Sequence, residues 1–323
     1  MSILQNEFLN ETLERFNEKK QMATSLNLPE RYNEMQNPKK AERCQECGKF
    51  LAFDTYRNKE SGEITRVLTS ANFCKVKWCP MCAWRKARRI IAELFSVFSQ
   101  IESNHRVAYV FLTLTTKNES LENLRALSAE ISKAWHRLQQ VKAWQKSILG
   151  HIRAIEYLGD ETPIGECHLH YHSVLVVPTT YFKTENYIRQ AQWVEMWQKV
   201  LRVDYKPIVD IRGIRPKSNT NSKTIKTLKN LPSNINPALI KALCECVKYI
   251  AKSTKVAQLN TDQFATLDQQ ARGLRQFNKG GLLKQYKPLP LDDEEIDPEV
   301  WEFLEKEFYK WCGITNNYKL DKN

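Results

Sequence analysis

Long hydrophobic runs are missing from this sequence. A helix that spans a membrane needs roughly 18 or more consecutive apolar residues, and none of the 323 positions begins such a run. The opening stretch, MSILQNEFLNETLERFNEKK, also lacks the apolar block of a secretory signal, so a cytoplasmic location is expected. There are no internal repeats, which sets aside solenoids and propellers. Acidic charge is short too, with 37 Asp and Glu against 49 Lys and Arg for a net charge of +12. Most of the acid sits at one end. From Pro288 onward there are 4 Lys/Arg and 10 Asp/Glu, so the body carries (49 − 4) − (37 − 10) = +18. A body that basic favours a polyanionic partner, and nucleic acid is the commonest. What is present in quantity is core-forming material: 42% apolar and 10% aromatic residues predict a folded chain.

Nine cysteines in a cytoplasmic chain are not a disulfide framework. Five lie between Cys44 and Cys82, which is the clustering of a metal site. CQEC (Cys44, Cys47) and CPMC (Cys79, Cys82) form two C-x-x-C pairs, and four thiolates on two turns can close the tetrahedral site of a structural zinc. Cys74 is an alternative ligand. The basic run WRKARR follows, offering Arg85, Lys86, Arg88 and Arg89 to DNA phosphates.

The periodicities predict an ordered set of elements. VAYVFLTLTT (107–116) alternates as a strand, and 119–147 has helical spacing. GHIRAIEYLG (150–159) and HLHYHSVLVV (168–177) are strands, 184–201 is a helix and KPIVDIRGI (206–214) a fourth strand. The order β-α-β-β-α-β predicts an α+β fold, a ferredoxin-like or RRM-like antiparallel sheet with helices on one face. A helical arm (1–43) and a four-cysteine zinc subdomain (44–90) precede the main domain (107–287). Within that domain lies a polar basic insertion (215–234), followed by a helix over 237–253. The acidic tail (288–323) is expected to be a separate C-terminal helix.

Histidine is scarce, with six in the chain, yet three fall at 168, 170 and 172. Alternate residues of a strand share a face, so His168, His170 and His172 point one way while Leu169 and Tyr171 point the other. Crowded imidazoles repel when protonated and need partners when neutral. A divalent metal satisfies them, and Glu156 on the neighbouring strand adds a carboxylate. Two imidazoles and a carboxylate leave open positions suited to Mn²⁺ or Mg²⁺ acting as a Lewis acid. On the later helix, Glu245 and Tyr249 lie four apart on one face, with Lys248 and Lys252 forming a similar pair. Locally, that spacing is also an ordinary surface salt-bridge pattern, and nothing nearby marks Tyr249 out among 12 tyrosines.

FLTLTTKN (111–118), GHIRAIEY (150–157), HLHYHSVLVV, VDIR (209–212) and CVKYIAKS (246–253), in that order, resemble the replication initiator (Rep) proteins of bacterial rolling-circle plasmids. These are members of the HUH endonuclease superfamily, named for histidine–hydrophobe–histidine. FCKVKWCPMCAWRKARR (73–89) and GLRQFNKGGLLK (273–284) carry the same resemblance, which runs from about residue 43 to 287. It implies that His170-Tyr171-His172 is the paired-histidine motif, although His168-Leu169-His170 also fits. It implies Glu156 as the acidic ligand, Tyr249 as the nucleophile and Glu245 as the glutamate one turn before it. The implied activity is metal-dependent nicking of a single-stranded or hairpin site at the plasmid origin. A 5′-phosphotyrosine intermediate forms, a 3′-OH primer is left, and a glutamate-assisted hydrolysis ends replication. Implied partners are origin DNA with its adjacent duplex, a host helicase and a polymerase, with no membrane. Two other readings stand beside it. One is a relaxase or transposase of the same superfamily. The other is a zinc-dependent DNA-binding regulator without catalysis.

Overall fold

The computed structural model describes residues 13–215, 235–248, 255–288 and 299–321. Its centre is a five-stranded sheet made of β3 (Val107–Thr115), β4 (Gly150–Glu156), β5 (His170–Pro178), β6 (Val209–Ile214) and β7 (Phe277–Gly281). The strand order is β6-β3-β5-β4-β7, and every neighbouring pair is antiparallel. β3 and β4 therefore run parallel with β5 inserted between them, which is the split β-α-β arrangement. The edge strand β7 belongs to the GLRQFNKGG stretch. A Cβ on Gly280 would lie 2.3 Å from the His151 ring, and one on Gly281 would lie 2.4 Å from the Leu149 carbonyl. Only glycine lets this strand close on β4, which gives that stretch a physical reason.

Alternation along the strands sorts two cores. Leu112 and Leu114 of β3, Ile155 of β4, and Leu175 and Val177 of β5 face one side. They meet α5 (Leu124–Gln139) and α7 (Gln190–Leu201) through buried Trp135, Trp193 and Trp197. These are the two helices of the expected six-element pattern, and they do share a face. The other face is covered as well. Tyr109, Ile152, Ala154, Val174 and Val176 pack against α4 (Pro80–Asn104) and α8 (Pro237–Lys248). α4 carries a regular apolar stripe, with Ala83, Ala87, Ile90, Leu94, Phe98 and Ile101 buried at helical spacing.

The acidic tail is not a helix. Trp301–Cys312 forms strand β8 and Asn317–Leu320 forms β9. With β1 (Phe50–Asn58) and β2 (Ile64–Ala71) they make a second sheet, ordered β9-β8-β1-β2. The tail thus completes the cysteine-rich subdomain across some 250 residues of chain, and is no separate element. The reason is aromatic content: Trp301, Phe303, Phe308, Tyr309 and Trp311 suit a pleated surface, and the acids find cross-strand partners. Glu302 pairs with Arg57 at 2.8 Å and Glu307 with Arg66 at 2.5 Å. On the inner face Leu51, Phe53, Tyr309 and Tyr318 are buried with Phe16 of α1 (Leu13–Leu26). The arm is helical where described, continuing through α2 (Leu28–Glu34) and α3 (Pro38–Glu46).

A single carboxylate ties these parts together. Asp268 of α9 (Thr261–Gln270) accepts from Tyr32 Oη at 3.1 Å, Trp78 Nε1 at 3.0 Å and Lys40 Nζ at 2.7 Å. It joins the arm and the cysteine loop to the main domain. Among the described residues, no helix is long and apolar enough to cross a membrane.

Candidate active site

β4 and β5 end together, and their register builds the site. Glu156 is directly opposite His170, and Ala154 opposite His172. Directly paired residues share a face, so Glu156, His170 and His172 all point toward α4 and α8. His172 Nε2 lies 3.2 Å from Glu156 Oε2, and His170 Nδ1 lies 3.5 Å from the same oxygen. One ligand atom from each of the three fits within 4.8 Å of the others. Glu156 is only 4% exposed and His172 only 6%. His170 Nε2 is buried with no hydrogen-bond partner among the described residues. A buried carboxylate, two imidazoles and an orphaned ring nitrogen fit a divalent cation. The His172 imidazole is held below its ordinary range chiefly by burial, against the opposing pull of the Glu156 carboxylate. It therefore stays neutral, as a ligand must.

His168 does not join this group. The strand begins at His170, and the Leu169 carbonyl accepts from Thr116 N at 3.2 Å, in step with the β3–β5 register. Leu169 and Tyr171 are buried together in the opposite core, and the His168 ring sits edge-on to that of His170 with centroids 4.1 Å apart, outside the ligand group. Of the three imidazoles, His170 and His172 are the two that come together with Glu156, and this pair flanks Tyr171. That tyrosine faces the opposite core, its hydroxyl 3.1 Å from Ser132 Oγ.

α8 brings Glu245 to the same face. Its charge acts on the His172 imidazole, raising its proton affinity. Glu245 also pairs with Lys248 at 2.6 Å. Cys246, fully buried, donates its thiol to the His172 carbonyl at 3.0 Å and so pins the helix to the ligand strand. Sequence reasoning passed over Cys246, since a lone thiol carries no spacing signal. Tyr249 and Lys252 lie outside the described residues, as does the insertion beyond Arg215.

The second metal-competent group is Cys47, Cys74, Cys79 and Cys82. Sulfur separations are 3.6 Å for Cys47–Cys79, 3.6 Å for Cys47–Cys82 and 3.5 Å for Cys74–Cys82. Tetrahedral thiolates at about 2.3 Å from zinc would stand roughly 3.8 Å apart, so the set is close to that shape. Cys74 therefore takes the place expected for Cys44. Cys44 is still inside helix α3, so CQEC is no knuckle, and its sulfur contacts Cys74 from outside the quartet. Lys75, with φ of 57°, turns the chain so that Cys74 enters. The Lys75 N–H donates to Cys82 Sγ at 3.3 Å, and the Cys74 N–H to Cys47 Sγ at 3.4 Å. The Cys82 thiol is pushed far down, first by the hydrogen bond from Cys47. Lys20 Nζ donates to the Cys47 carbonyl at 2.5 Å, and Arg43 to that of Cys74, bringing positive charge to the cluster.

A sequence model described as Replication protein matches residues 65–319. The chain belongs to this family of rolling-circle plasmid replication initiators. The match runs through the tail strands, beyond the 287 limit of the motif resemblance. The initiator is 33% identical over 300 residues to a "Protein rep" of Bacillus amyloliquefaciens, covering 87% of this chain and 85% of the relative. A "Protein rep" of Lentilactobacillus hilgardii is 31% identical over 304 residues, covering 89% and 90%. A third, from a Bacillus species, is 33% identical over 266 residues, covering 80% and 83%. No solved structure matches the initiator.

Proposed function

We propose that this initiator is a metal-dependent, sequence-specific endonuclease and strand transferase that nicks one strand of a plasmid origin. The observation that carries the reading is the buried cluster of Glu156, His170 and His172 on the face that α8 presents with Glu245. A divalent cation such as Mn²⁺ or Mg²⁺, held by those three side chains, supplies Lewis-acid polarisation of the scissile phosphate. Tyr249 attacks phosphorus with its phenolic oxygen, giving up its proton. The 3′-oxygen leaves and takes a proton, so the products are a 5′-phosphotyrosine and a free 3′-OH for a host polymerase. One phosphodiester is exchanged for another, and no nucleotide cofactor is consumed. Glu245, four residues before the tyrosine, accepts a proton from water when the second cleavage is hydrolytic, which frees the protein. His168, edge-on to His170, fixes that ring's orientation.

The cysteine quartet is a structural zinc site, because all four positions of the tetrahedron are filled by thiolates. Arg85, Lys86, Arg88 and Arg89 on the first turns of α4 contact phosphates beside it, with Lys248 and Lys252 nearer the nick. A host helicase opens the duplex ahead of the polymerase.

The test is an origin-hairpin oligonucleotide with Mn²⁺. Tyr249→Phe is expected to form no covalent protein–DNA adduct, and an adduct at the normal rate would sink the assignment. Glu245→Ala should still nick but accumulate the adduct instead of releasing it. Tight binding by the unmodified protein with no nick in any divalent metal would favour a regulator instead.

A further inference from the structure

The register of the β9-β8-β1-β2 sheet separates its side chains by chemistry. Glu305 and Glu307 of β8 stand opposite Thr55 and Phe53, on the inner face. Glu302, beyond a bulge at Leu304, stands opposite Arg57 on that side too. The outer face receives the other half of an outwardly acidic sequence. Phe308 is opposite Ala52, Lys306 opposite Asp54, Phe303 opposite Tyr56, and Lys310 opposite Phe50. Lys319 of β9 continues the last row. Phe303 is 52% exposed and Phe308 42%. Tyr56 meets Phe303 edge-on with centroids 5.6 Å apart. Phe50, Tyr56, Phe303 and Phe308 belong to neither apolar core, whereas Leu51, Phe53 and Tyr309 on the inner face do.

Aromatic rings left exposed on a sheet, with lysines between them, are expensive unless something covers them. The two carboxylates here, Asp54 and Asp321, pair with Lys306 at 3.4 Å and Lys310 at 2.7 Å. Both lysines keep much of their exposure, and such surface pairs are weak enough to exchange for phosphates. A duplex has its bases stacked already and would leave the rings unused. A single strand offers both free base faces and a phosphate row. From Phe50 to Tyr56 the strand rises about 20 Å, room for roughly three or four nucleotides.

We propose that this outer face is a second, sequence-tolerant binding site for single-stranded DNA, separate from the nicking centre. Bases stack on Phe303, Phe308 and the Phe50–Tyr56 side of β1, while Lys306, Lys310 and Lys319 contact phosphates. The site's location puts the displaced or extruded strand on the subdomain that the C-terminal tail completes. The choice of DNA rests on the reading of the chain as a nicking initiator.

The experiment is fluorescence anisotropy of the full chain with a labelled oligothymidylate of about fifteen nucleotides, which lacks any origin site. The same titration uses a duplex of equal length. Phe303→Ala/Phe308→Ala is expected to weaken single-strand binding at least about tenfold with little effect on the duplex. Lys306→Gln/Lys319→Gln should weaken it less and flatten the salt dependence. Unchanged single-strand affinity in the aromatic variant, with its melting temperature intact, overturns the proposal. So does a change from dimer to monomer in that variant, which would make the face a contact between copies. Nicking of the origin hairpin is scored separately with the nick site short enough to miss this face. If nicking is absent from the unmodified protein while the aromatic variant still loses oligothymidylate, the nickase reading fails and this site stands.

Discussion

Exchanging Cys74 for Cys44 in the quartet gives a sharp residue-scale expectation. Cys74→Ser should leave the purified chain with less than one equivalent of zinc, while Cys44→Ser keeps a full equivalent. Metal analysis of both proteins decides it, and the reverse outcome would restore CQEC as a knuckle. His151 gives a second. It sits on β4 facing away from the site, its ring packed on Trp135 at 5.0 Å and Trp144 at 5.8 Å. Burial holds its pKa at about 3 against an ordinary 6.5. A depressed histidine stays neutral in the native state while the unfolded chain takes up a proton. Stability is therefore complete above the unfolded value and falls as pH drops from about 6.5 toward 3. The slope is about 1.4 kcal/mol per pH unit. Between pH 7 and pH 5, His151→Gln should lose less melting temperature than the unmodified chain. Equal losses would remove His151 as the cause.

Among elements, the tail strands matter most for stability. β8 is a central strand of its sheet, and its loss would strip β1 of one row of backbone partners while exposing Leu51 and Phe53. Tyr318 donates to the Gly48 carbonyl at 2.5 Å, and Trp311 N to that of Lys49 at 2.8 Å, so the hairpin also braces the turn after Cys47. Each large buried side chain contributes roughly 2 kcal/mol, and domains have little stability to spare. A chain ending at Glu299 should therefore unfold at a markedly lower temperature and lose zinc. Normal melting and normal zinc content in the truncated protein would show the tail to be dispensable. α8 is the element that matters for chemistry, since the Cys246 contact fixes its spacing from the histidine strand.

Across the whole molecule, basic charge sets how the initiator meets DNA. Each phosphate contact should contribute about −0.9 to the slope of log affinity against log salt. Lys86 and Arg89 are exposed on α4 beside the quartet, Arg89 pairing loosely with Glu93 at 3.7 Å. Lys86→Gln/Arg89→Gln is expected to reduce the slope for origin duplex by about two, and an unchanged slope would place the phosphate contacts elsewhere. α4 itself links the scales: Cys79 caps it, Cys82 lies in its first turn, and its later turns pack under the face carrying Glu156, His170 and His172. The cysteine-rich subdomain and the central sheet share this one helix.

By itself, the sequence determined four of the five strands of the central sheet, the family, and the histidine cluster with its candidate carboxylate Glu156. These depend on local alternation and on short motifs, which survive without knowledge of what packs against them. The order of motifs also proposed Glu245 and Tyr249, of which Glu245 lies on the face of the histidine pair. The tertiary structure alone decided which cysteine completes the quartet, that His168 stays outside the ligand group, and that the acidic tail is strand. Each of those turns on partners distant in the chain. Cys44 and Cys74 compete for one place that only the fold of the intervening hairpin assigns. An alternation such as WEFLEKEFYKW has no preferred shape until β1 supplies hydrogen bonds and Arg57 and Arg66 supply counter-charges. Spacing along a chain fixes which side chains share a face, and only packing fixes what that face meets.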